Sequence, residues 1–153
     1  MKALVPAILL ASVLFAHAAP KDFSKELLLR RDTTAKLSQR IHALGKNLPP
    51  AGDGHRVAMT ISSECAYMAS LLHMAELHGQ TVLASLPKEK DRKGEAMKPF
   101  RLALGYIEAK ARQYSDRASQ MMAFIKNPGL LAEARDARKA LDEIADWLKP
   151  YAK

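Results

Sequence analysis

The stretch that decides the fold is ISSECAYMASLLHMAELHGQTVLASL, residues 61–86. Its positions Ile61, Cys65, Met68, Leu72, Ala75, Gly79, Val82 and Leu86 are apolar or small and alternate at spacings of four and three. That repeat averages 3.5 residues, close to one helical turn. It keeps a single stripe facing its neighbours when helices wind gently left-handed about one another. Three other segments carry the same pattern. The first runs Phe23, Leu27, Arg30, Thr34, Leu37, Ile41 and Leu44, with two polar members. A third runs Phe100, Leu104, Ile107, Ala111, Tyr114, Ala118, Met121 and Ile125, and a fourth Leu130, Ala134, Ala137, Leu141, Ile144 and Leu148. Nothing alternates with the period of two that a half-buried strand needs. The expectation is an all-α chain: an up-down-up-down antiparallel four-helix bundle with left-handed coiled-coil-like packing.

Punctuation supports these boundaries. Asp22 is predicted to cap the first helix, and Gly45 to close it in the left-handed conformation that glycine favours. After the linker KNLPPAGDG, Asp53 is the next cap. The linker LPKEKDRKGEAMKP places Pro99 in the third helix's first turn, where its missing donor costs little. Asn127-Pro128-Gly129 gives the sharpest signal, with a capping asparagine followed by proline at the first helical position. So short a link predicts a helical hairpin. Pro150 is expected to end the fourth helix.

Residues 1–18 read as a signal peptide: a basic start at Met1-Lys2, an apolar run from Ala3 to Phe15, and the small-x-small triplet Ala16-His17-Ala18. Cleavage is expected between Ala18 and Ala19, which makes residues 19–153 the bundle domain and its location periplasmic or secreted. The apolar run is shorter than the about 20 residues of a membrane span. The chain has 153 residues, one cysteine and a formal net charge of +8. One cysteine forms no intramolecular disulfide, so stability must come from a core. Losing Lys2 leaves about +7 on the mature chain. Outside the cytoplasm such charge points to an acidic protein, an acidic polymer or an anionic membrane surface rather than nucleic acid, and it also serves solubility.

Within residues 61–86, Cys65 and Met68 fall on the inward stripe. His73 and His78 are five residues apart and flank that stripe on opposite sides, so they cannot converge on one ion from a straight helix. Tyr67, Leu71, Met74 and His78 form a second stripe about 100° away. It marks either a helix buried on two sides or an interface, with a homodimer among the options. Folding the helices back on their linkers brings His42, Met59, Met121 and Met122 toward one layer. Imidazole and thioether are ligands that Cu(I) or a haem iron accepts, and methionine is also an ordinary core filler. Arg30 occupies an inward position near the level of Glu76 and Glu108. It reads as a structural ion pair, or as the anchor of a small anion pocket with His73 at its rim. No nucleophile, base and acid arrangement and no phosphate loop is present.

The architecture and expected compartment are similar to cytochrome c′, but the two cysteines and following histidine of that family's haem attachment have no counterpart at Cys65. The stretch EAMKPFRLALGYI, residues 95–107, resembles part of cytochrome b562, a noncovalent haem bundle. That family draws a methionine from its first helix and a histidine from its last. Here Phe23 to Leu44 holds no methionine, and no histidine follows His78. The Leu-Thr-x-x-Gln repeat of helical periplasmic chaperones that resemble Spy is also missing. No functional residue carries over. The sequence leads to the expectation of a noncatalytic interaction protein without cofactor, the alternative being a small haem- or copper-binding bundle.

Overall fold

The computed structural model describes residues 20–85 and 94–152. Expectations resting on residues 1–18, on Ala19, and on Leu86, Lys88, Lys90, Arg92 and Lys93 lie outside this range. The described residues form four α-helices: α1 Pro20–Lys46, α2 Asp53–Ser85, α3 Lys98–Met121 and α4 Pro128–Leu148. Short 3₁₀ turns at Glu95–Met97 and Met122–Phe124 complete the secondary structure, with no strand among the described residues.

Each helix packs on the next in the chain, and α4 closes back on α1. Specific pairs fix the level of each contact. The Arg31 guanidinium reaches Glu76 at 3.3 Å, the Ser38 and Ser62 hydroxyls lie 3.2 Å apart, and His55 Nδ1 is 2.9 Å from the Gly45 carbonyl. Between α3 and α4, Arg112 donates to Asp146 at 3.2 Å and Ser115 to Asp142 at 2.5 Å. In both helix pairs, residue numbers rise on one member as they fall on the other.

The heptad stripes form the interior. Ile61, Cys65, Met68, Leu72 and Ala75 of α2 are buried, as are Leu104, Ile107 and Ala111 of α3 and all six stripe residues of α4. Removing each large aliphatic side chain from water contributes about 1.5–3 kcal/mol. On α3 the buried line moves after Ala111 to Ser115, leaving Tyr114 half-buried. A straight helix of 3.6 residues per turn drifts from a strict 3.5 repeat, so a step of four replaces one of three. Thr34, one of the two polar members of the α1 stripe, is fully buried, and its hydroxyl donates back to the Arg30 and Arg31 carbonyls at 2.9 Å. This satisfies the group without a partner helix.

Three boundary expectations need correction. α1 already includes Pro20, so Asp22 lies inside the first turn rather than capping it. Asp53 is the first residue of α2, pairs with Arg56, and stands one place inside the expected cap. Gly45 does not end α1 in a left-handed conformation; it lies within the helix with an ordinary φ. A Cβ at Gly45 would sit 2.6 Å from Met59 Cε and 2.7 Å from Ala58 Cβ. This glycine therefore permits close approach of α1 to α2. The other signals hold: Pro99 lies in the first turn of α3, and the Asn127 side chain accepts from Leu130 N at 2.9 Å with Pro128 opening α4.

Candidate functional site

From Val57 to Ser85, α2 contains no lysine, arginine or aspartate, although 26% of the chain is charged. Its two glutamates in that span, Glu64 and Glu76, are both buried. The solvent side of α2 is thus free of ordinary charge along eight turns. An exposed helix normally carries its polar face there. Large apolar side chains are also left exposed on α2 and on its neighbour α3. Tyr67, Met74 and Leu77 of α2 and Leu102 and Tyr106 of α3 are between 44% and 68% exposed. Among the described residues only Leu29 and Phe124 share that property elsewhere.

Contacts across the helix pair join the aromatic members. The Tyr67 and Tyr106 hydroxyls lie 3.5 Å apart, and the Tyr67 ring meets Tyr114 edge-on at 6.4 Å. Lys110 Nζ lies 5.8 Å from the Tyr106 ring and 5.9 Å from the Tyr114 ring, within cation–π range. Further along, His78 meets Phe100 edge-on at 5.6 Å. The bond to Tyr106 raises the Tyr67 hydroxyl above its ordinary pKa. Burial, and then the nearby Glu64 charge, raise that of Tyr114.

Below this surface lies an ion pair. Arg117 donates to Glu64 Oε1 at 2.7 Å, while Glu64 Oε2 is buried without a hydrogen-bond partner. Glu64 is 7% exposed, and burial pushes its carboxyl above the usual carboxylate range against the opposing pull of Arg117. Burial, with the same carboxylate nearby, moves the Cys65 thiol up to about 12. An un-ionised, enclosed thiol is a poor nucleophile and a poor metal ligand.

The second stripe divides between surface and interior. Tyr67, Met74 and His78 are exposed, whereas Leu71 is 5% exposed and belongs to the core. Arg30, Glu76 and Glu108 do not come together. Arg30 pairs with Glu26 at 3.2 Å and lies over the Trp147 ring at 4.9 Å. Glu76 is met by Arg31 and, at 3.5 Å, by His73. Glu108 is met by Arg112 at 2.6 Å. One residue is 100° of helical rotation, which turns Arg30 toward α4 and Arg31 toward α2. A cleft of about 130 Å³ between α1 and α4 is lined by Arg30 with Leu29, Thr33, Ala140, Glu143 and Ile144. Its carboxylate opposes an anionic occupant, and His73 does not line it.

The methionine and histidine layer is also divided. Met121 and Met122 pack half-buried against the core, Met59 places its methyl against Gly45, and His42 is exposed. Among the described residues, no group of three or more histidine, cysteine, aspartate or glutamate side chains is placed to hold a metal ion. No helix among them is long and apolar enough to cross a membrane.

Sequence periodicity picked out Tyr67 and Met74 but missed Leu77, Leu102 and Tyr106. All three fall outside the stripes read on their helices, so a search for periodic positions passes over them. The signal that could have found the surface is the gap in charge from Val57 to Ser85. No family model matches the chain, and no curated protein or solved structure shows significant similarity to it.

Proposed function

We propose that the mature chain, freed of residues 1–18, is a noncatalytic periplasmic or secreted binding protein, an up-down-up-down bundle whose positive surface meets an acidic partner. The distribution of ion pairs carries this reading. Among the described residues, the carboxylates of Glu26, Asp32, Asp53, Glu64, Glu76, Glu95, Glu108, Glu133, Asp142, Glu143 and Asp146 all lie in ion pairs. Lys25, Lys36, Lys46, Lys126, Arg135 and Lys149 are exposed and in none of them. Against these six cations stand two exposed carboxylates in no ion pair, Asp116 and Asp136, so the charge left facing solvent among the described residues stays positive.

Such a surface attracts a polyanion through long-range charge, and salt screens it over about 8 Å at physiological ionic strength. The test is binding of the mature protein to vesicles of anionic lipid, to neutral vesicles and to an acidic polysaccharide. The expected result is binding to the anionic materials that weakens steeply as salt rises. Equal binding to neutral vesicles, or none to any anionic material at low salt, would overturn the reading.

A further inference from the structure

We propose that one end of the bundle, formed by the α1–α2 and α3–α4 connections, docks on an anionic lipid bilayer, with the Phe124 ring entering the interfacial layer and Lys46 and Lys126 meeting headgroup phosphates. The inference rests on the binding role above and names its partner. Two ion pairs show that both connections lie at the same end. Arg117 on Glu64 sets the end of α3 beside the start of α2, and Arg40 on Glu133 sets the start of α4 beside the end of α1. Leu48 and Met122, one from each connection, pack half-buried against the core cluster that contains Ile125.

Local backbone pushes the aromatic ring outward. After the 3₁₀ turn Met122–Phe124, Ile125 is extended, at φ −91° and ψ 111°, and its side chain is buried. Side chains on either side of an extended residue point away from it. Burying Ile125 therefore turns Phe124 and Lys126 to the solvent together, and both are exposed, Phe124 by 59%. Lys46, the last residue of α1, and Pro49 and Pro50 after it are exposed at the same end. The opposite end is built differently, because Phe23, Phe100, Trp147 and Tyr151 pack on one another there.

Charge at this end complements an anionic surface. Residues 42–56 and 121–130 hold the cations Lys46, Arg56 and Lys126 and a single carboxylate, Asp53, which Arg56 neutralises. Lys46 and Lys126 are in no ion pair. The combination of ring and cations selects a bilayer over a soluble polyanion. Aromatic rings settle at the membrane–water boundary, and lysines beside them are drawn to anionic headgroups. An acidic polysaccharide satisfies the two lysines but offers the Phe124 ring no apolar layer. The contact is peripheral and end-on, since no helix among the described residues is long and apolar enough to cross a membrane.

The test is binding of the mature protein to vesicles of phosphatidylglycerol and phosphatidylcholine in equal parts, to phosphatidylcholine vesicles and to an acidic polysaccharide. Variants are Phe124→Ser, Lys46→Gln combined with Lys126→Gln, and the control Leu29→Ser, a residue 61% exposed partway along α1. The expected result is binding to the phosphatidylglycerol vesicles that falls about tenfold in F124S, by more than tenfold in the lysine variant and not at all in L29S. Polysaccharide binding should be unchanged in F124S. Phe124→Trp adds a readout of position: the native Trp147 lies against Phe23 at the far end, so brominated lipid should quench the fluorescence of F124W well beyond that of wild type. Should F124S fail to fold, the lysine variant and F124W still decide. Vesicle binding that survives both F124S and the lysine variant, or F124W quenched no more than wild type, would overturn the docking end. Equal losses of vesicle and polysaccharide binding in F124S would overturn the bilayer as partner. A wild-type protein that binds the polysaccharide but no vesicle defeats this inference alone, and one that binds no anionic material defeats the binding role itself.

Discussion

Two residues beneath the α2–α3 surface have chemistry set by burial. Cys65 is enclosed, and its thiol is held near 12, so little thiolate exists at neutral pH. The expected outcome is no reaction with an alkylating reagent in native protein and complete reaction on denaturation. Prompt native labelling would place the cysteine outside the core. Glu64 offers a sharper test, because its raised pKa reflects burial only partly offset by Arg117. The folded state takes up this proton at higher pH than the unfolded chain. The group's contribution therefore favours folding below the unfolded value of about 4.5 and is lost as pH rises through the raised folded value. Arg117→Met leaves the carboxylate without its cation. The expected loss is about 2 kcal/mol at about pH 8, below that of a fully buried pair because Arg117 is half exposed, and it should shrink on acidification through the folded Glu64 value. Adding Glu64→Gln should remove the pH dependence, and urea melts at both pH values measure it. An equal loss at both would exclude the buried charge as its cause.

Within single helices, sequence periodicity reports which residues face inward and is silent about how closely two helices approach. The stripes on α2 and α4 were legible because a strict alternation of three and four has one simple explanation. Asn127-Pro128 was legible because capping is local chemistry. Gly45 was misread: its position near a helix end suggested a left-handed stop, but the reason for it lies across the interface, in Ala58 and Met59. Arg30 lies in an ion pair as expected but with Glu26 rather than Glu76 or Glu108, since a choice between α2 and α4 as neighbour is not encoded on α1 alone. Gly45→Ala tests this view. A better helix former at this site would gain up to about 1 kcal/mol from propensity alone. Contact with Ala58 Cβ, which cannot rotate away, should instead make the change destabilising by about 1–2 kcal/mol. Pairing it with Ala58→Gly should restore part of the loss in thermal melts. A stabilised Gly45→Ala protein would show that the two helices separate without cost.

Across the whole molecule, the unlike sides of the bundle explain why its site was only half legible. Core stripes announce themselves by pattern, whereas a surface is recognised by what it lacks, and the missing charge on α2 has meaning only against the charge carried by the other helices. The same comparison predicts which cations matter. Two sets are available: the connection between α2 and α3, with Lys88, Lys90, Arg92, Lys93 and Lys98, and the exposed set Lys36, Lys46, Lys126 and Arg135. In the first, Glu89, Asp91 and Glu95 are interleaved along the chain, and Lys98 pairs with Glu95 at 3.5 Å. In the second, none of the four is in an ion pair among the described residues, and the one carboxylate that adjoins any of them in the chain is Asp136, beside Arg135. Neutralising either set removes nearly the same charge, so net charge alone predicts similar losses of polyanion affinity at low salt. Local presentation predicts unequal ones, because a carboxylate beside a cation cancels its field within a Debye length. Substituting the exposed set by glutamine should therefore weaken binding by more than tenfold and flatten its salt dependence, whereas substituting the connection should change it by only a few-fold. Binding isotherms for the two variants over a salt series decide the matter, and a larger loss from the connection would move the anionic contact to that end of the molecule.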